Sequence, residues 1–327
     1  MNKKVLMPVL MSCVLLMTSC GANQSLADLE ETPISINKEA IPEVTETVED
    51  IAVSASDEFD EPDEVSSMEE PVIEEPVEPQ ILDFVDVFGV HYETEILEDV
   101  PKYNYDYSLF QRDGEKLSYV GDPAYTSRLG IDVSYHQGNI NWTKVADAGV
   151  EFAILRVAYR GYGQSGSLQK DKKFDEYIQG AQAAGLDVGV YIFSQAISVE
   201  EAEEEANFVL KCLEGYEIEL PVVYDPESIL DAPARTDDVT GEQFTANTLR
   251  FCEVIEQAGY EPMIYSNMLW EAFQFDMSQT CKYPYWYADY EPLPQTPYDF
   301  VMWQYLNTGK VPGIAGEVDL DIIFDAR

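Results

Sequence analysis

The chain has 327 residues, of which 46% are hydrophobic, so it is long enough to bury a sizeable core. Its formal net charge of −43 at pH 7 excludes nucleic acid and anionic lipid as direct ligands of its surface, because both would be repelled. Residues 21–127 hold 4 basic and 29 acidic residues, whereas residues 128–327 hold 13 and 33. The shorter segment therefore has the higher charge density and is expected to be the less compact one.

Residues 1–20 have the pattern of a bacterial export signal that ends at a lipidated cysteine. Lys3 and Lys4 precede a short apolar run, and small residues stand directly before Cys20, as in a lipobox. This predicts lipid attachment at Cys20 and a location at the extracytoplasmic face of the cell membrane. The alternatives are a plain secretory signal or an uncleaved anchor, although the apolar run is short for a membrane span.

The next two segments differ in composition. Residues 21–80 are rich in Glu, Asp, Pro, Ser and Thr, and Lys38 is their only basic residue. Such a segment cannot bury enough apolar surface to fold, so we expect a disordered acidic tether with a reach of at least roughly 45 Å. Residues 81–127 contain apolar and Tyr-rich runs and predict a structured N-terminal extension that packs on the domain after it.

From residue 128 onward, short apolar runs alternate with helical patterns. Two helices are predicted to begin after Ser198 and Thr240, each followed three residues later by Glu or Gln, which is the spacing of a capping box. The predicted strands are 129–133, 152–158, 188–193, 221–224 and 263–265, followed by a strand-rich part at 285–288, 301–305 and 317–320. Alternation of strand and helix predicts a parallel sheet. We therefore expect an α/β fold over residues 128–327, an irregular TIM-like barrel with a strand-rich C-terminal part.

Acidic residues follow or interrupt several of these apolar runs. Asp132 ends the first strand, Asp225 and Glu227 end the fourth, and Asp319 lies in the last. In α/β barrels the chemistry is at the carboxyl ends of the strands, and residues two apart on a strand share a face. Two close carboxylates raise the pKa of one of them, as general-acid catalysis at a glycosidic bond requires. A helix cap or a solvated turn is the alternative for any single one of these acids.

Aromatic side chains cluster in or just after the same strands. Aromatic faces stack on sugar rings, so clefts lined in this way suit glycans, although core packing is the alternative for each side chain. The side chains expected to bind substrate are Tyr135, His136, Tyr191, Phe193, Trp286, Tyr287, Tyr290, Trp303 and Tyr305.

Other catalytic chemistries lack the residues that they need. His91 and His136 are the only histidines, so no His-based zinc site can form, and neither a metal nor another cofactor is expected. There is no phosphate loop with a Lys-Ser/Thr ending and no nucleophile elbow. The cysteines after the leader are expected to be buried and reduced, with one disulfide and a free thiol as the alternative. They are Cys212, Cys252 and Cys281.

Several motifs together resemble glycoside hydrolase family 25, the Chalaropsis-type lysozymes, across essentially all of residues 128–327. They are GIDVSYHQG at 130–138, FAILR at 152–156, GVYIFSQA at 189–196, PVVYDPE at 221–227, YWYA at 285–288, WQY at 303–305 and GIAGEVD at 313–319. Pro226 departs from the commoner residue at its position. The resemblance implies an irregular α/β barrel that cleaves the β-1,4 bond between N-acetylmuramic acid and N-acetylglucosamine in peptidoglycan.

The resemblance also implies roles for the four acids. Glu227 would be the acid/base, and Asp225 would orient or stabilise the substrate's 2-acetamido group in a substrate-assisted reaction. Asp132 and Asp319 would complete the acidic floor. The expected partners are peptidoglycan glycan strands and, through Cys20, the membrane, with no nucleic acid and with the protein as a monomer.

Two other functions remain open from the sequence. One is a non-catalytic lipoprotein that binds the cell wall, and the presence of all four acids favours an enzyme over it. The other is a related hexosaminidase that acts on another N-acetylated glycan, for which the acid pair would be similar.

Overall fold

The computed structural model describes residues 78–230 and 232–327. The predicted export signal at 1–20, the lipidation site Cys20 and all but the last three residues of the predicted tether at 21–80 lie outside this part of the chain. Among the residues described, no helix has the length and apolar character needed to cross a membrane.

Two small antiparallel hairpins form the segment that precedes the barrel. The first pairs β1 (Ile81–Val85) with β2 (His91–Glu95). The second pairs β3 (Phe110–Asp113) with β4 (Lys116–Tyr119), and a single 3-10 turn at Tyr107–Leu109 comes just before it. Hairpins of this size are at best marginally stable alone, so they depend on contacts with the rest of the chain.

The main sheet is a closed barrel of eight strands, which confirms the predicted α/β barrel. The strands are β5 (Tyr125–Val133), β6 (Phe152–Arg160), β8 (Asp187–Ser194), β9 (Val222–Pro226), β10 (Pro262–Asn267), β11 (Tyr285–Ala288), β12 (Met302–Gly309) and β13 (Val318–Ala326), and the short β7 (Leu168–Lys170) pairs with the end of β6. Neighbouring strands are parallel from β5 to β12. β13 closes the barrel and runs antiparallel to both β12 and β5.

Helices occupy the connections in the first part of the barrel. They are α1 (Trp142–Asp147), α2 (Phe174–Ala183), α3 (Val199–Cys212), α4 (Gly241–Gln257), α5 (Met268–Phe273) and α6 (Met277–Thr280). The side chains of Ser198 and Thr240 accept hydrogen bonds from backbone N–H groups at the starts of α3 and α4, which confirms both predicted starts. Between residues 285 and 327, all of which are described, the connections contain no helix, as the strand-rich pattern predicts.

Side chains alternate between the two faces of the strands and form two apolar cores. The larger core lies between the barrel and its outer layer. The smaller one fills the barrel interior and contains Phe152, Ile154, Val223, Met263, Tyr265, Trp286, Ala288, Met302 and Ile323. Gly130 belongs to this interior, because a Cβ atom there would lie 2.1 Å from the ring of Phe152. The barrel interior is therefore filled by apolar side chains around Gly130 and Phe152. Polar groups have room only towards the ends of the barrel.

The segment before the barrel covers the strands that have no helices outside them. The ring of Tyr105 stacks on Phe324 of β13 with 4.1 Å between centroids, and its hydroxyl donates to the carbonyl of Phe300 at 2.7 Å. Phe110 packs edge-on against Trp303 of β12 with 5.8 Å between centroids. Each such aromatic pair contributes about 0.5–1.5 kcal/mol beyond the area that it buries. The segment thus takes the place of outer helices, and β5 begins at residue 125, three residues before the predicted boundary.

The cysteines of the described chain are unpaired. Cys252 is buried in α4, whereas Cys212 and Cys281 are only partly buried. Cys212 and Cys281 therefore lie nearer the surface than predicted.

Candidate active site

The structure brings the four predicted carboxylates to one end of the barrel. Asp132 lies near the end of β5, and Asp225 lies near the end of β9 with Glu227 just after it. Parallel strands end on the same side of a barrel, so these three acids share one mouth. β13 runs in the opposite direction, so its first residues reach the same mouth, where Asp319 pairs in register with Asp132.

Asp225 and Glu227 form a hydrogen-bonded pair of carboxyl groups. Burial raises the pKa of Glu227 to about 7, and the charge of Asp132 adds to the effect. Burial raises the pKa of Asp225 well above its usual range, and the charges of Glu227 and Asp132 raise it further. Two carboxyls this close hold one proton between them up to about neutral pH, and the proton belongs to the pair. The pair can therefore donate a proton at near-neutral pH.

Asp132 is held in place by an amide. Gln304 of β12 donates from Nε2 to Asp132 Oδ2 at 2.7 Å, and this hydrogen bond favours the charged form. Burial is the stronger effect and raises the pKa of Asp132 to about 7. Asp319 is only partly exposed, and burial together with the charges of Asp132 and Glu227 raises its pKa well above the usual range. The mouth thus concentrates more carboxyl groups than can all ionise at neutral pH.

Asp321 is a fifth carboxyl of this group, which we did not single out from the sequence. It lies two residues after Asp319 and is fully buried, and its Oδ1 accepts a hydrogen bond from Trp286 Nε1 at 2.9 Å. Burial and the charges of Asp132 and Asp319 raise its pKa well above the usual range. The two-residue period of a strand, applied to Asp319, could have identified it.

Arg156 supplies positive charge beside the carboxyls and was also missed. It is buried in β6, and its guanidinium lies 2.9 Å from Asp171 Oδ2 and 5.0 Å from the ring centre of Tyr135. Its charge acts against the rise in the pKa of Asp225 and of Glu227. Breaking a buried ion pair of this kind costs about 3–5 kcal/mol, so Arg156 is both structural and electrostatic. The sequence feature that could have identified Arg156 is an arginine in the middle of a predicted apolar strand.

Two of the predicted substrate-binding residues lie side by side at the rim of the barrel mouth. The rings of Tyr135 and His136 lie 4.0 Å apart, and Lys172 Nζ lies 4.0 Å above the ring of Tyr135. Burial lowers the pKa of His136, and the charges of Arg156 and Lys172 add to the effect. His136 is therefore neutral at pH 7 and can donate or accept a hydrogen bond there.

Three further predicted residues also face the mouth. Tyr191 is partly buried, and its pKa is raised well above its usual range mainly by burial, with the charges of the nearby carboxylates adding to it. Phe193 is opposite Asp225 in the register of β8 and β9 and is partly buried. The hydroxyl of Tyr290 donates to Gln304 Oε1 at 2.8 Å. All three are placed to contact a ligand that reaches the acids.

The other predicted aromatic residues do not face the mouth. Trp286 points into the barrel, but it is only 2% exposed and serves as the hydrogen-bond donor to Asp321. Tyr287, Trp303 and Tyr305 alternate to the outer face, where they are buried in the core beneath the preceding hairpins. Substrate contact by Trp303 and Tyr305 is therefore corrected to core packing, because their side chains lie on the opposite face of the strands from the carboxyls. Tyr287 is buried on the same outer face and lines a cavity between the first hairpin and the barrel.

Gln195 fixes the backbone at Glu227. Its Nε2 donates to the carbonyl of Glu227 at 2.6 Å and to that of Ser194 at 3.0 Å, and its Oε1 accepts from Thr236 Oγ1 at 2.9 Å. Its side chain is only 1% exposed. The residue follows β8 and so ties the ends of two neighbouring strands together.

We expect Gln195→Leu to lower kcat by about tenfold to a hundredfold, because a displacement of Glu227 of about 1 Å is enough for such a loss. KM should change much less, since Gln195 does not reach the mouth. Steady-state kinetics on solubilised peptidoglycan measures both constants, with the exposed Gln257→Leu as the matched control. Equal changes in kcat for the two variants would rule out the positioning role.

The buried carboxyls also predict how stability depends on pH. The pKa of an unfolded aspartate is about 3.9, and that of folded Asp132 is about 7. Between these values the folded protein binds more protons than the unfolded one, so its free energy of unfolding falls as pH rises. Asp321 contributes in the same direction.

We therefore expect Asp321→Asn to reduce the loss of thermal stability between pH 5 and pH 8. A single carboxyl changes the free energy of unfolding by up to about 1.4 kcal/mol per pH unit across this window. Thermal unfolding followed by circular dichroism gives the Tm at each pH, with the exposed Asp238→Asn as control. A pH dependence identical to that of the unmodified chain would show that Asp321 is ionised at pH 5.

No group of three or more His, Cys, Asp or Glu side chains in the described ranges has the arrangement needed to hold a metal ion.

The sequence of the chain is similar to those of known lysozymes. The chain is 25% identical over 194 residues to the autolytic lysozyme of Clostridium acetobutylicum, which is 59% of this chain and 54% of that protein. It is 28% identical over 207 residues to lysozyme M1 of Streptomyces globisporus, covering 60% of this chain and 68% of that one. The match thus spans about half the length of the first relative and two thirds of the second.

A solved structure agrees with these matches. The bacterial lysozyme from Streptomyces coelicolor superposes with a TM-score of 0.50 at 27% identity, over 59% of this chain and 90% of that one. Residues 131–314, more than half of the chain, match the family described as glycosyl hydrolases family 25. The chain therefore belongs to glycosyl hydrolases family 25.

Proposed function

We propose that the chain is an N-acetylmuramidase that hydrolyses the β-1,4 bond between N-acetylmuramic acid and N-acetylglucosamine in peptidoglycan. The observation that supports this most strongly is the convergence of Asp132, Asp225, Glu227 and Asp319 at one barrel mouth, with a proton shared by the hydrogen-bonded pair. The names of the two lysozyme relatives support the choice of substrate.

In this proposal Glu227 donates the proton. It is the more exposed member of the pair and follows the end of β9, so it is the one that a glycosidic oxygen can reach. As the bond between the anomeric carbon and that oxygen breaks, the proton passes from Glu227 to the oxygen and the leaving sugar departs as an alcohol. Glu227 is then a carboxylate and acts as the base for the next step.

Asp225 orients the substrate's own nucleophile. Its Oδ1 is buried and has no hydrogen-bond partner within the described protein, so it can accept the N–H of the 2-acetamido group. The acetamido oxygen then attacks the anomeric carbon and forms a cyclic cation, which the charge of Asp225 stabilises. A water molecule opens this ring, giving its proton to Glu227 and its hydroxyl to the sugar, which restores both groups.

Asp132 and Asp319 form the floor beneath this reaction. Their negative charge opposes the positive charge that develops at the anomeric carbon, and Gln304 fixes the orientation of Asp132. Tyr135, His136 and Tyr191 lie around the rim or among the carboxyls, where they can contact the sugar rings.

Substrate choice is tested by comparing two polymers. Purified protein should clear a suspension of peptidoglycan and release new reducing ends, while chitin should remain intact. Cleavage of chitin at a similar rate would support a hexosaminidase of another specificity. Binding of peptidoglycan with no release of reducing ends would support a non-catalytic wall-binding protein.

We also propose that the protein acts as a monomer at the extracytoplasmic face of the cell membrane, held by a lipid on Cys20. The charged start, the apolar run and the small residues before Cys20 support the lipid anchor. In a bacterial host that lipidates exported proteins, the unmodified chain should fractionate with membranes, and Cys20→Ser should be released from them. Membrane association that persists in Cys20→Ser would contradict the lipid anchor.

A further inference from the structure

A cavity lies between the first hairpin and the barrel. Its volume is about 340 Å³. The hairpin contributes Val85, Asp86 and Val87 to its wall, and the barrel contributes residues at the ends of β10 and β11, including Asn267 and Ala288. Its hairpin wall lies outside the part of the chain, residues 131–314, that matches the family. The cavity is thus a joint product of the barrel and the segment that precedes it.

The hairpin wall is fixed by hydrogen bonds. The amide of Gln295 accepts from Val85 N at 2.8 Å and donates to Val85 O at 2.9 Å. The carboxylate of Asp86 accepts from the backbone N–H of Phe88 at 2.8 Å and of Val90 at 2.9 Å, which shapes the turn. A wall held in this way loses little conformational entropy when a ligand binds.

Two hydrogen bonds connect the lining of the cavity to the carboxyls of the active site. Tyr290 lines the cavity, and its hydroxyl donates to Gln304 Oε1 at 2.8 Å. Gln304 in turn donates to Asp132 at 2.7 Å. Asn267 and Ala288 pair in register at the carboxyl ends of their strands, so the cavity opens at the same end of the barrel as Glu227. The cavity and Glu227 therefore lie at the same end of the barrel, as binding of one polymer at both places requires.

The lining disfavours an anionic ligand. It contains no lysine or arginine. Its polar groups are carboxyls, amides and hydroxyls, from Asp86, Asp289, Glu291, Asn267, Gln295, Asn307, Tyr287 and Tyr290. Carboxyls and amides bind the hydroxyl and acetamido groups of sugars, whereas they repel the carboxylates of a peptide. A volume of about 340 Å³ lies at the small end of the range for ligand pockets, which suits a single sugar ring.

We propose that this cavity is an additional glycan subsite, in which the hairpin and the barrel together bind one neutral N-acetylated sugar of the strand beyond the cleaved bond. The proposal rests on the function proposed above and assigns the segment before the barrel a part in substrate binding.

The test compares two positions on the same hairpin. Val87 lines the cavity and is 50% exposed, whereas Val90 does not line it and is 47% exposed. Val87→Arg should block the cavity, and Val90→Arg is the matched control; both positions are exposed enough to accept the change without unfolding. Each is combined with Glu227→Gln, so that calorimetry measures binding without cleavage.

The probes are peptide-free glycan strands from amidase-treated peptidoglycan, sorted into tetrasaccharides and octasaccharides. We expect the octasaccharide to bind about tenfold more tightly than the tetrasaccharide in the control, and this advantage to disappear in Val87→Arg. An unchanged advantage in Val87→Arg would overturn the subsite. Weaker binding of peptide-bearing strands by Val87→Arg than by Val90→Arg, with equal binding of peptide-free strands, would assign the cavity to the peptide and overturn the proposal of a sugar. Failure of the unmodified chain to cleave any strand would instead count against the proposed function, since binding is measured separately.

Discussion

Glu227→Gln is expected to lower the rate of peptidoglycan hydrolysis by about 10²–10⁴-fold, the usual contribution of a general acid. Glutamine has the size of glutamic acid but cannot give a proton to the leaving oxygen. The side chain lies just after β9, and its position depends on the backbone contact with Gln195, which the substitution keeps. Release of reducing ends from purified peptidoglycan, followed over time, measures the rate.

The control for this variant is the exposed Glu214→Gln, which makes the same chemical change away from the mouth. Both variants should unfold within a few degrees of the unmodified chain. A variant at Glu227 that is folded and hydrolyses peptidoglycan at more than about a tenth of the normal rate would move the proton donor to another carboxyl. Asp225 would be the first candidate, because it shares the proton.

Asp225→Asn is expected to lower kcat by about 10²–10³-fold, the effect of removing one preorganised electrostatic contact to a transition state. The amide keeps an oxygen that can accept the acetamido N–H, so binding should change less than kcat. It lacks the negative charge that stabilises the cyclic cation. It also removes the carboxyl group whose hydrogen bond lowers the pKa of Glu227, so the alkaline limb of the rate profile should move to higher pH.

The pH profile separates this role from a structural one. The exposed Asp147→Asn provides the control and should leave both kcat and the profile unchanged. A loss of activity in Asp225→Asn with an unmoved alkaline limb would show that the two carboxyls do not share a proton. Normal kcat would contradict the substrate-assisted step.

The barrel could be predicted from the sequence because the patterns that indicate its strands and helices are local. Apolar runs of strand length, helix starts at Ser198 and Thr240 and the alternation between them define most of the elements. The direction of β13 was not predictable, because a strand pattern is the same in either direction. That direction brings Asp319 to the mouth and depends on long-range pairing with β5 and β12.

The acids were predicted better than the aromatic residues, and the reason is physical. Asp225 and Glu227 share a face because they lie two apart near a strand end. In the strand Tyr285–Ala288 both faces are buried, so an apolar pattern does not tell which aromatic side chains point inward. Trp286 points into the barrel, whereas Tyr287 packs outside it.

The sequence pattern also did not predict where the segment before the barrel packs. Its apolar and Tyr-rich runs predicted that it packs on the barrel, but not where. The strands that lack outer helices leave an apolar face, and Tyr105 and Phe110 cover it. The first hairpin is held by the hydrogen bonds between Val85 and Gln295, a long-range contact that cannot be derived from local sequence.

The most direct test of the account identifies the sugar at the newly formed reducing end. Peptidoglycan is digested, reduced with borohydride and analysed by mass spectrometry, with the unmodified chain and Glu227→Gln compared side by side. The account predicts reduced muramic acid at every new end with the unmodified chain and almost none with the variant. Reduced glucosamine at the new ends, or equal product from both proteins, would contradict it.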